Sequence, residues 1–410
     1  MCRVEITGYG AGGEGVARLP DGKVAFVPGA ARGDVLEVRL TKETPRSARA
    51  QIARILSPSP YRCEPGCPAY PLCGGCSFRH ITYEEELRAK LMRVNDALRR
   101  IGGISACAGE ILATGQTDGY RNKAVFHSDG KSRGFYARRS HDIVHIDRCP
   151  LLKEDINDAL KKLPPGGEIA LRSGRDGLGG ALEEELDGLV FGLSGFFQVN
   201  VGAALLLYRK AREYAAMSAG ETLVDLYCGV GALTLFVGRD AGRALGVEIN
   251  PGAVEAAREN AMRNGLSHIE FVAADVAGLD AAAAMARLDA AAAAELDATA
   301  AAELDATAAK ARLDAADVAA LDCAARHPDC VVVDPPRKGL SLGAVKKILE
   351  LSPKRIVYVS CDPATLARDL QALHGYEVKE ACAVDMFPRT ANVECCCLLA
   401  MQGQTGRRLI

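Results

Sequence analysis

The sequence predicts an α/β protein with a parallel sheet, preceded by a small β-barrel and a cysteine-rich α+β segment. Three observations support this prediction. Apolar runs alternate with helical stretches from Leu223 onward, five short strand-like runs separated by turn residues fill residues 1–58, and cysteines cluster between these regions. A chain of 410 residues exceeds one compact core, so we expect three domains at 1–58, 59–190 and 191–410.

Composition and charge restrict the location and the partners that we expect. The amino-terminal residues lack the apolar core of a signal peptide, and no stretch approaches the roughly 18 apolar residues of a membrane span, so we expect a cytoplasmic protein without a membrane partner. The 15 cysteines are an odd number and cluster unevenly, which argues against a secreted disulfide framework. Residues 1–150 hold 23 Lys and Arg against 16 Asp and Glu, which suits a polyanionic partner or, alternatively, a solvated basic surface.

The strand-like runs of residues 1–58 predict a small barrel of the oligonucleotide-binding kind. They lie at 4–6, 15–19, 24–27, 35–40 and 48–55. Basic side chains are placed to follow a phosphate backbone along this barrel, namely Arg32, Arg39, Lys42, Arg46 and Arg49. A peptide-binding barrel or a purely structural one is the alternative.

Four cysteines of the middle segment predict a metal or cluster site. They are Cys67, Cys73, Cys76 and Cys149. The first three lie close together with two glycines between the second and third, and the remote fourth is followed by proline. Zinc usually takes two close pairs of ligands, so this spacing favours an iron-sulfur cluster, although zinc remains open. Cys63 is an additional candidate ligand.

A helix is predicted over residues 82–101. Thr82 is a good amino-terminal cap, acidic residues follow it in the first turn, Arg99 and Arg100 occupy the last turn, and two glycines then stop the helix. We expect this helix to pack on the domain at 191–410.

The strand-like segments after this helix are basic and predict an RNA contact. Arg121, Lys123 and Arg138 are the candidate RNA-binding residues. Aromatic residues placed to stack on unpaired bases lie among them: Tyr120, Phe126, Phe135 and Tyr136. A charged, solvated surface is the alternative interpretation.

The first βα turn of the carboxyl half has the pattern of a nucleotide-cofactor site. Gly229 and Gly231 allow a ligand to approach the backbone, and Glu248 at the end of the next strand is placed to accept hydrogen bonds from ribose hydroxyls. Thr234 stands where a dinucleotide fingerprint has its third glycine, which favours S-adenosylmethionine, a cofactor without a pyrophosphate. Asp275, after the third predicted strand, suits the adenine amino group.

Three further side chains are predicted to meet at one edge of the sheet. Asp334 opens an Asp-Pro-Pro turn at the end of the strand predicted at about 330–336, and Cys361 ends the strand at 355–361. Carboxyl ends of parallel strands border the ligand crevice, so Cys361 is expected there rather than in the core. Glu394 begins the last strand, which we predict to be antiparallel, and therefore reaches the same edge. An inert buried cysteine and a solvated carboxylate are the alternatives.

Residues 280–326 form an alanine-rich segment in which Leu-Asp recurs. The leucines are Leu288, Leu296, Leu304, Leu313 and Leu321. A period near eight residues makes the leucine stripe drift by about 80° per repeat, so a coiled-coil seam is excluded. We expect a helical, partly mobile insertion without chemistry.

The motifs of this chain, and their order along it, resemble those of the RNA uracil-C5 methyltransferase family. The resemblance is greatest to the branch with an amino-terminal TRAM domain that modifies bacterial 23S ribosomal RNA. Besides the four cysteines, the motifs are Gly-Gly-Glu-Gly-Val-Ala from Gly12, Tyr-Arg-Asn-Lys from Tyr120, Phe-Gln-Val-Asn from Phe197, Asp-Pro-Pro-Arg-Lys-Gly from Asp334, Ser-Cys-Asp-Pro from Ser360, and Phe-Pro-Arg-Thr from Phe387 with a following Val-Glu. The resemblance covers nearly the whole chain outside the alanine-rich segment.

The resemblance implies a Rossmann-like, S-adenosylmethionine-dependent methyltransferase domain behind a TRAM barrel. It also implies a structural 4Fe-4S cluster on the four cysteines, and cofactor or uracil contacts from Gln198, Tyr227, Glu248 and Asp334. Two positions depart from the family pattern: Asn392 replaces a usual histidine, and Ala232 replaces a frequent asparagine.

The family chemistry explains the residue types. Uracil C5 is a poor nucleophile, so a Cys361 thiolate must first add to C6 and create an enolate. Asp334 is placed to hold the uracil edge, and Glu394 is the candidate base for the C5 proton.

We expect a monomer that acts on a uridine flipped from a single-stranded RNA loop, with 23S ribosomal RNA favoured over transfer RNA. An amino-group methylase and a noncatalytic RNA-binding or assembly factor are the rival functions. An amino-group methylase would not need Cys361, and it usually has an aromatic residue where Arg337 stands.

Overall fold

The computed structural model describes residues 1–403, except 165, 179–181, 194 and 281–326, and within the last gap it describes Ala283 and Met285. The leucine repeats predicted to form a helical insertion therefore lie outside the described residues. Among the helices that are described, none combines the length and the apolarity that a membrane span requires.

The amino-terminal barrel is a six-stranded sheet in the order β1-β5-β6-β4-β3-β2. Its strands are β1 (Cys2–Glu5), β2 (Gly8–Tyr9), β3 (Gly15–Arg18), β4 (Val24–Val27), β5 (Val35–Glu43) and β6 (Ser47–Ser57). Buried and exposed residues alternate along β3, β4 and the first half of β5, so small apolar side chains such as Ala17 and Leu36 fill one face. The five predicted strands are present. The sixth, β2, is a two-residue pairing too short to give a periodic pattern.

The middle segment contains two small antiparallel sheets and two helices. Its elements are α1 (Tyr83–Arg100), β8 (Lys123–Ser128), β9 (Arg133–Tyr136), β10 (Ile143–His145), α2 (Glu154–Leu160), β11 (Ile169–Arg172), β12 (Glu183–Leu186) and β13 (Leu189–Gly192). Strands β10, β9, β8 and β11 form one sheet, and β12 pairs with β13.

Two of the aromatic residues predicted to stack on RNA are instead part of the protein core. Phe126 is fully buried and stacks on Phe135, and the buried Tyr120 donates its hydroxyl hydrogen to the carbonyl of Pro388 at 3.0 Å. The prediction was wrong for both residues, because Phe126 fills the buried face of its sheet and Tyr120 is buried in its contact with Pro388. Tyr136 is exposed and stacks on His127.

The catalytic sheet has eight strands in the order β16-β15-β14-β17-β18-β20-β19-β7. The strands are β7 (Ile111–Leu112), β14 (Thr222–Leu226), β15 (Arg243–Glu248), β16 (Ile269–Ala273), β17 (Cys330–Val333), β18 (Arg355–Ser360), β19 (Tyr376–Val384) and β20 (Glu394–Met401). Strands β14 to β18 are parallel, and β20 runs antiparallel to both β18 and β19. The predicted terminal hairpin is therefore present.

Helices cover both faces of this sheet. They are α3 (Val201–Ala215), α4 (Ala232–Gly238), α5 (Pro251–Arg263), α6 (Leu342–Leu351) and α7 (Pro363–Ala372), with a 3₁₀ turn at Val276–Gly278. Helices α3, α4 and α5 share one hydrophobic core, whereas α6, α7 and the 3₁₀ turn share the core on the other face. Because both faces are covered, strands such as β17 are apolar throughout rather than alternating.

Helix α1 packs on the catalytic sheet. Val94 and Leu98 lie in the same hydrophobic core as Leu366 and Leu370 of α7. Thr82 caps the helix by accepting a hydrogen bond from the backbone N–H of Glu85 at 3.4 Å. The middle segment is thus joined to the catalytic sheet by a helix, while the domain boundaries at 58 and 190 stay predictions.

An ion pair joins the barrel to α1. Arg32 was predicted to follow a phosphate backbone, but its guanidinium donates to both carboxylate oxygens of the buried Glu85 at 2.9 Å. Burial alone would raise the pKa of Glu85, but hydrogen bonds from Arg32 and Arg88 outweigh it and lower the pKa to about 2. Arg32 is therefore a structural contact between barrel and helix.

The Arg32 pair predicts an acid-sensitive contribution to stability. The depressed pKa means that ionised Glu85 stabilises the folded state above its ordinary pKa of 4.5, and that this contribution is lost as the pH falls toward 2. In Arg32→Met, one cationic partner is lost, so the free energy of unfolding at pH 7 should fall by about 1–3 kcal/mol in urea titrations. Arg39→Met is the matched control because Arg39 is exposed and bonds Gln51 within the barrel. An unchanged unfolding free energy for Arg32→Met would contradict the assignment.

Candidate active site

The sheet brings three predicted side chains to one edge. Asp334 directly follows β17, Cys361 directly follows β18, and Glu394 is the first residue of β20. Strands β17 and β18 are parallel neighbours, and β20 pairs antiparallel with β18, so the ends of the first two lie beside the start of the third. The charges of Glu394 and Asp334 both act on the Cys361 thiol. The three groups therefore share one site.

Arg337 completes this group and was not selected from the sequence as a functional residue. Burial and, to a lesser extent, the charge of Glu394 raise the pKa of Cys361 to about 11, although the guanidinium of Arg337 opposes them by its charge and by a hydrogen bond to the thiol. Its position three residues after Asp334, in a turn at the ligand edge, was the available signal. Arg337 is the cation placed to stabilise a thiolate at Cys361.

Glu394 and Asp334 both have carboxyl groups whose pKa values are raised to near physiological pH. Glu394 is buried, with 5% of its surface exposed, and burial together with the charge of Asp334 raises its pKa to about 8. Burial likewise raises the pKa of Asp334 to about 7. Carboxyl groups with such pKa values can exchange protons at physiological pH, which is typical of general acids and bases.

The turn after β14 forms an open cradle. Gly229 and Gly231 both have positive φ, at +55° and +80°, and a Cβ on Gly231 would lie 2.8 Å from the ring of Phe271, so this position requires glycine. No atom lies within 4 Å of the place where a Cβ on Gly229 would stand. The Glu248 carboxylate accepts from the backbone N–H of Gly229 at 3.2 Å and of Asn250 at 2.9 Å. These bonds fix the carboxylate beside the cradle.

Asp225 and Thr234 form a buried pair beneath the cradle. The Thr234 hydroxyl donates to Oδ2 of Asp225 at 2.5 Å, while Oδ1 has no hydrogen-bond partner within the described part of the chain. Burial raises the pKa of Asp225 to about 8. Thr234, interpreted from the sequence only as a missing glycine, thus holds the buried Asp225 carboxyl group in place.

Of the remaining predicted cofactor residues, Tyr227 and Asp275 lie at this cradle, whereas Gln198 lies near the loop that leads to Glu394. Tyr227 has a positive φ of +71° in the same turn, and the charge of Asp275 contributes to its raised pKa, so these side chains are neighbours. Asp275 itself is exposed and accepts from the N–H of Ala277 at 3.1 Å. Gln198 is buried two residues before Asn200, whose amide donates to the carbonyl of Met386 at 3.1 Å. The segment that contains Gln198 therefore contacts the loop between β19 and Glu394.

The four cysteines line one cavity of about 630 Å³ in the middle segment. Their thiols influence one another electrostatically, with Cys73 acting on Cys76 and on Cys149. In the described ranges, no three metal-ligating side chains are close enough to hold a metal ion as they stand. Cys63 stands apart from this cavity, and its thiol donates to the carbonyl of Arg79 at 3.6 Å.

Two of the three candidate RNA-binding residues, Arg138 and Arg121, have side chains that bond backbone carbonyls of the protein. Arg138 faces the cysteine cavity and donates to the carbonyl of Cys76. Arg121 donates to the carbonyl of Lys123 at 2.9 Å. Phe196, which the sequence did not single out, is 74% exposed two residues before Gln198, so it is an aromatic side chain available near the site.

Comparison with known proteins gives a consistent set of matches. Residues 193–402 match the family model described as tRNA (Uracil-5-)-methyltransferase, and residues 2–53 match that of the TRAM domain. A protein of Clostridium tetani described as an uncharacterized RNA methyltransferase is 30% identical, over 97% of this chain and 96% of its own. A protein of Gloeobacter violaceus with the same description is 31% identical, over 96% and 94%.

Among solved structures, the chain is similar to the tRNA (uracil-54, C5)-methyltransferase of Pyrococcus abyssi in complex with S-adenosyl-L-homocysteine. The TM-score is 0.69 and the identity 24%, over 97% of this chain and all of the other. The predicted combination of an amino-terminal TRAM barrel and an S-adenosylmethionine-dependent methyltransferase fold is therefore confirmed.

The raised pKa of Glu394 predicts that this residue destabilises the fold. Between its ordinary pKa of 4.5 and the folded-state value of about 8, the unfolded chain releases a proton that the folded chain retains, so stability falls as the pH rises through this window. Glu394→Gln removes this titration, and at pH 7 its free energy of unfolding should exceed that of the wild type by up to about 3 kcal/mol. Urea unfolding at pH 4, 5, 6 and 7 measures the difference, which should vanish near pH 4. A variant less stable than the wild type at pH 7 would contradict the assignment.

Proposed function

The chain belongs to the tRNA (uracil-5-)-methyltransferase family and is an RNA uracil-C5 methyltransferase, and from this premise we propose that it methylates a uridine of 23S ribosomal RNA through a covalent adduct on Cys361. The observation that carries the proposal is the convergence of Cys361, Asp334 and Glu394 on one sheet edge. A half-buried thiol, two carboxyl groups of raised pKa and a cation form a reaction centre rather than an ion-pair surface.

Cys361 supplies the nucleophile in this mechanism. Its thiolate forms an S–C6 bond with uracil, and the displaced electron pair makes an enolate whose C5 is nucleophilic. Arg337 stabilises the thiolate by its charge and its hydrogen bond. Asp334, with a pKa of about 7, can hold its proton and donate to a uracil carbonyl oxygen while accepting from the ring N–H.

Glu394 completes the reaction by removing the C5 proton. The electrons of the broken C5–H bond restore the C5–C6 double bond, and the S–C6 bond breaks to regenerate Cys361. A carboxylate with a pKa of about 8 is a stronger base, once ionised, than an ordinary glutamate. The buried position of Glu394 supports this role because water is kept from the proton that it takes.

The cradle after β14 is proposed to bind S-adenosylmethionine, which supplies the methyl group as an electrophilic sulfonium. Gly229 leaves open the space that a Cβ would fill, Gly231 gives the turn its positive φ, and Glu248 is fixed where it can accept from ribose hydroxyls. Tyr227, Asp275 and Gln198 are the further proposed contacts. Asp225 supports the cradle from beneath.

The four cysteines are proposed to hold a 4Fe-4S cluster. A cavity lined by Cys67, Cys73, Cys76 and Cys149 offers four sulfur donors from two distant parts of the chain, and an all-sulfur set suits an iron-sulfur cluster or zinc. The cluster would join the loop of the first three cysteines to the segment before α2. This role is structural, since the methylation mechanism needs no electron transfer.

RNA is proposed to contact the barrel and the basic middle segment. Arg121, Lys123 and Arg138 remain the candidate residues, and the exposed Phe196 near the site is suited to stack on a base beside the flipped uridine. Transfer RNA is the second candidate substrate, favoured by the similarity to the Pyrococcus abyssi enzyme. We propose a cytoplasmic monomer. Mapping 5-methyluridine in ribosomal and transfer RNA from cells lacking the protein distinguishes the two substrates.

Two substitutions should separate the halves of the reaction. Cys361→Ala removes the nucleophile, so transfer of labelled methyl groups to RNA should fall by at least about 10³-fold. Glu394→Gln leaves addition intact but blocks release, so a covalent protein–RNA species should accumulate on denaturing gels. Cys107→Ala is the control for Cys361, because this exposed cysteine lies outside the strands that form the site and outside the cofactor cradle. Turnover by Cys361→Ala would refute the mechanism.

The metal content tests the cluster. Protein purified without oxygen should be brown and contain about four iron atoms per chain. Cys76→Ser should lose most of this iron, whereas Cys63→Ser should retain it because its thiol lies outside the cavity. A colourless anaerobic preparation that contains only zinc would overturn the assignment.

A further inference from the structure

The loop that leads to the proposed base is held largely from outside the catalytic sheet. Loop 385–393 connects β19 to β20, and its ends meet where Val384 pairs with Glu394. Its backbone carbonyls accept hydrogen bonds from elements earlier in the chain. The pairs are Asn200 with Met386 at 3.1 Å, Tyr120 with Pro388 at 3.0 Å, and the N–H groups of Ser77 and Phe78 with Arg389 at 2.9 and 3.0 Å. The position of Glu394 thus depends on elements outside the catalytic sheet.

Lys90 of α1 is the buried cation at the root of this loop. Its side chain has no exposed surface, and Nζ donates to Oδ1 of Asp385 at 2.5 Å, to the carbonyl of Phe387 at 3.0 Å and to Oε1 of Glu86 at 2.6 Å. The same Glu86 oxygen accepts the backbone N–H of Arg389 at 2.7 Å. A loop conformation that broke these contacts would leave a buried charge without a partner, which is strongly unfavourable. The network therefore keeps the loop in a single position.

Arg93 lies one turn further along the same face of α1 and reaches both halves of the site. Its Nη1 donates to the carbonyl of Ala391 at 2.7 Å, three residues before Glu394. Its Nη2 lies 3.9 Å from Oδ2 of Asp362, the residue that follows Cys361. One side chain therefore links the loop of the proposed base to the turn of the proposed nucleophile.

We propose that Lys90 and Arg93 are positioning residues through which α1, a helix of the middle segment, aligns the two reacting side chains. Lys90 fixes the root of loop 385–393, and Arg93 holds its last part against the Cys361 turn. Neither residue is placed to touch the substrate. The proposal rests on the proposed roles of Cys361 and Glu394, and displacements near 1 Å in such a site can reduce rates by about 100-fold.

Arg93→Met is the first test, because the side chain is only 23% exposed yet lies at the rim, where its loss leaves no buried charge. We expect kcat to fall about tenfold with the KM for RNA within about twofold, since alignment is lost and substrate contacts remain. Arg99→Met is the matched control on the same helix, because Arg99 is 71% exposed and pairs with Asp96. It should retain wild-type kcat. Arg93→Lys should give an intermediate kcat.

Single-turnover measurements separate alignment from stability. In a Glu394→Gln background, the rate at which the covalent RNA adduct forms reports on Cys361 alone, and adding Arg93→Met should slow it about tenfold. Unchanged kcat and adduct rate in Arg93→Met, or an equal loss in Arg99→Met, would overturn the proposal. If Glu394→Gln forms no adduct with Arg93 intact, the proposed function fails instead, and the steady-state comparison of Arg93→Met with Arg99→Met still tests alignment.

Lys90→Met alone leaves buried carboxylates without their cation and can fail to fold. The pair Lys90→Met and Asp385→Asn removes opposite charges together and should restore the melting temperature relative to Lys90→Met. We expect kcat of the double variant, counted per chain that binds S-adenosylmethionine, to stay about 100-fold below the wild type. A folded double variant with wild-type kcat would show that Lys90 serves stability only and would overturn its positioning role.

Discussion

The antiparallel pairing of β20 with β18 is the constraint on which the site depends. Ser360 pairs with Cys395, so the residue after Ser360 and the residue before Cys395 are brought to the same end of the sheet. These residues are Cys361 and Glu394, the proposed nucleophile and base. A sheet with only parallel strands would place the amino end of its last strand at the far edge. Because β20 is reversed, one reaction can use side chains at the carboxyl ends of β17 and β18 together with a side chain at the amino end of β20.

This arrangement has a thermodynamic cost that other contacts must offset. Asp225, Asp334 and Glu394 are carboxyl groups whose pKa is raised by burial, so the fold is less stable at neutral pH than it would be with apolar residues there. Large hydrophobic cores on both faces of the sheet, together with the network around Lys90, stabilise the same region. Reactive groups on a rigid sheet edge are a common outcome of this balance.

The sequence predicted the parts of the structure that arise from local patterns. The barrel strands, the capped helix α1, the alternating βα units and the closing hairpin follow from periodicity and turn residues, and the strand ends located Asp334, Cys361 and Glu394. Contacts between distant segments were not predictable in this way. Arg32 was interpreted as an RNA contact, but it pairs with Glu85. Phe126 was interpreted in the same way, but it is buried. Charge and aromaticity do not reveal which face of an element other parts of the chain cover.

The same limit explains why Arg337, Lys90 and Arg93 were not identified. A lysine or arginine on a predicted helix is usually solvated, and only the packing of α1 against loop 385–393 distinguishes Lys90 and Arg93 from Arg99. Family resemblance supplied the reaction, whereas the tertiary contacts supply the reason why a helix of the middle segment matters to it. The middle segment therefore contributes to the catalytic edge as well as to the proposed RNA surface.

The most direct measurement uses RNA in which the target uridine carries fluorine at C5. The S–C6 adduct can form and be methylated, but Glu394 cannot remove fluorine as it would a proton, so the adduct should persist on the wild-type enzyme. Proteolysis followed by mass spectrometry locates the modified peptide. The account predicts one adduct on Cys361. An adduct on another cysteine, or methyl transfer to unmodified RNA with no adduct on the fluorinated one, would contradict it.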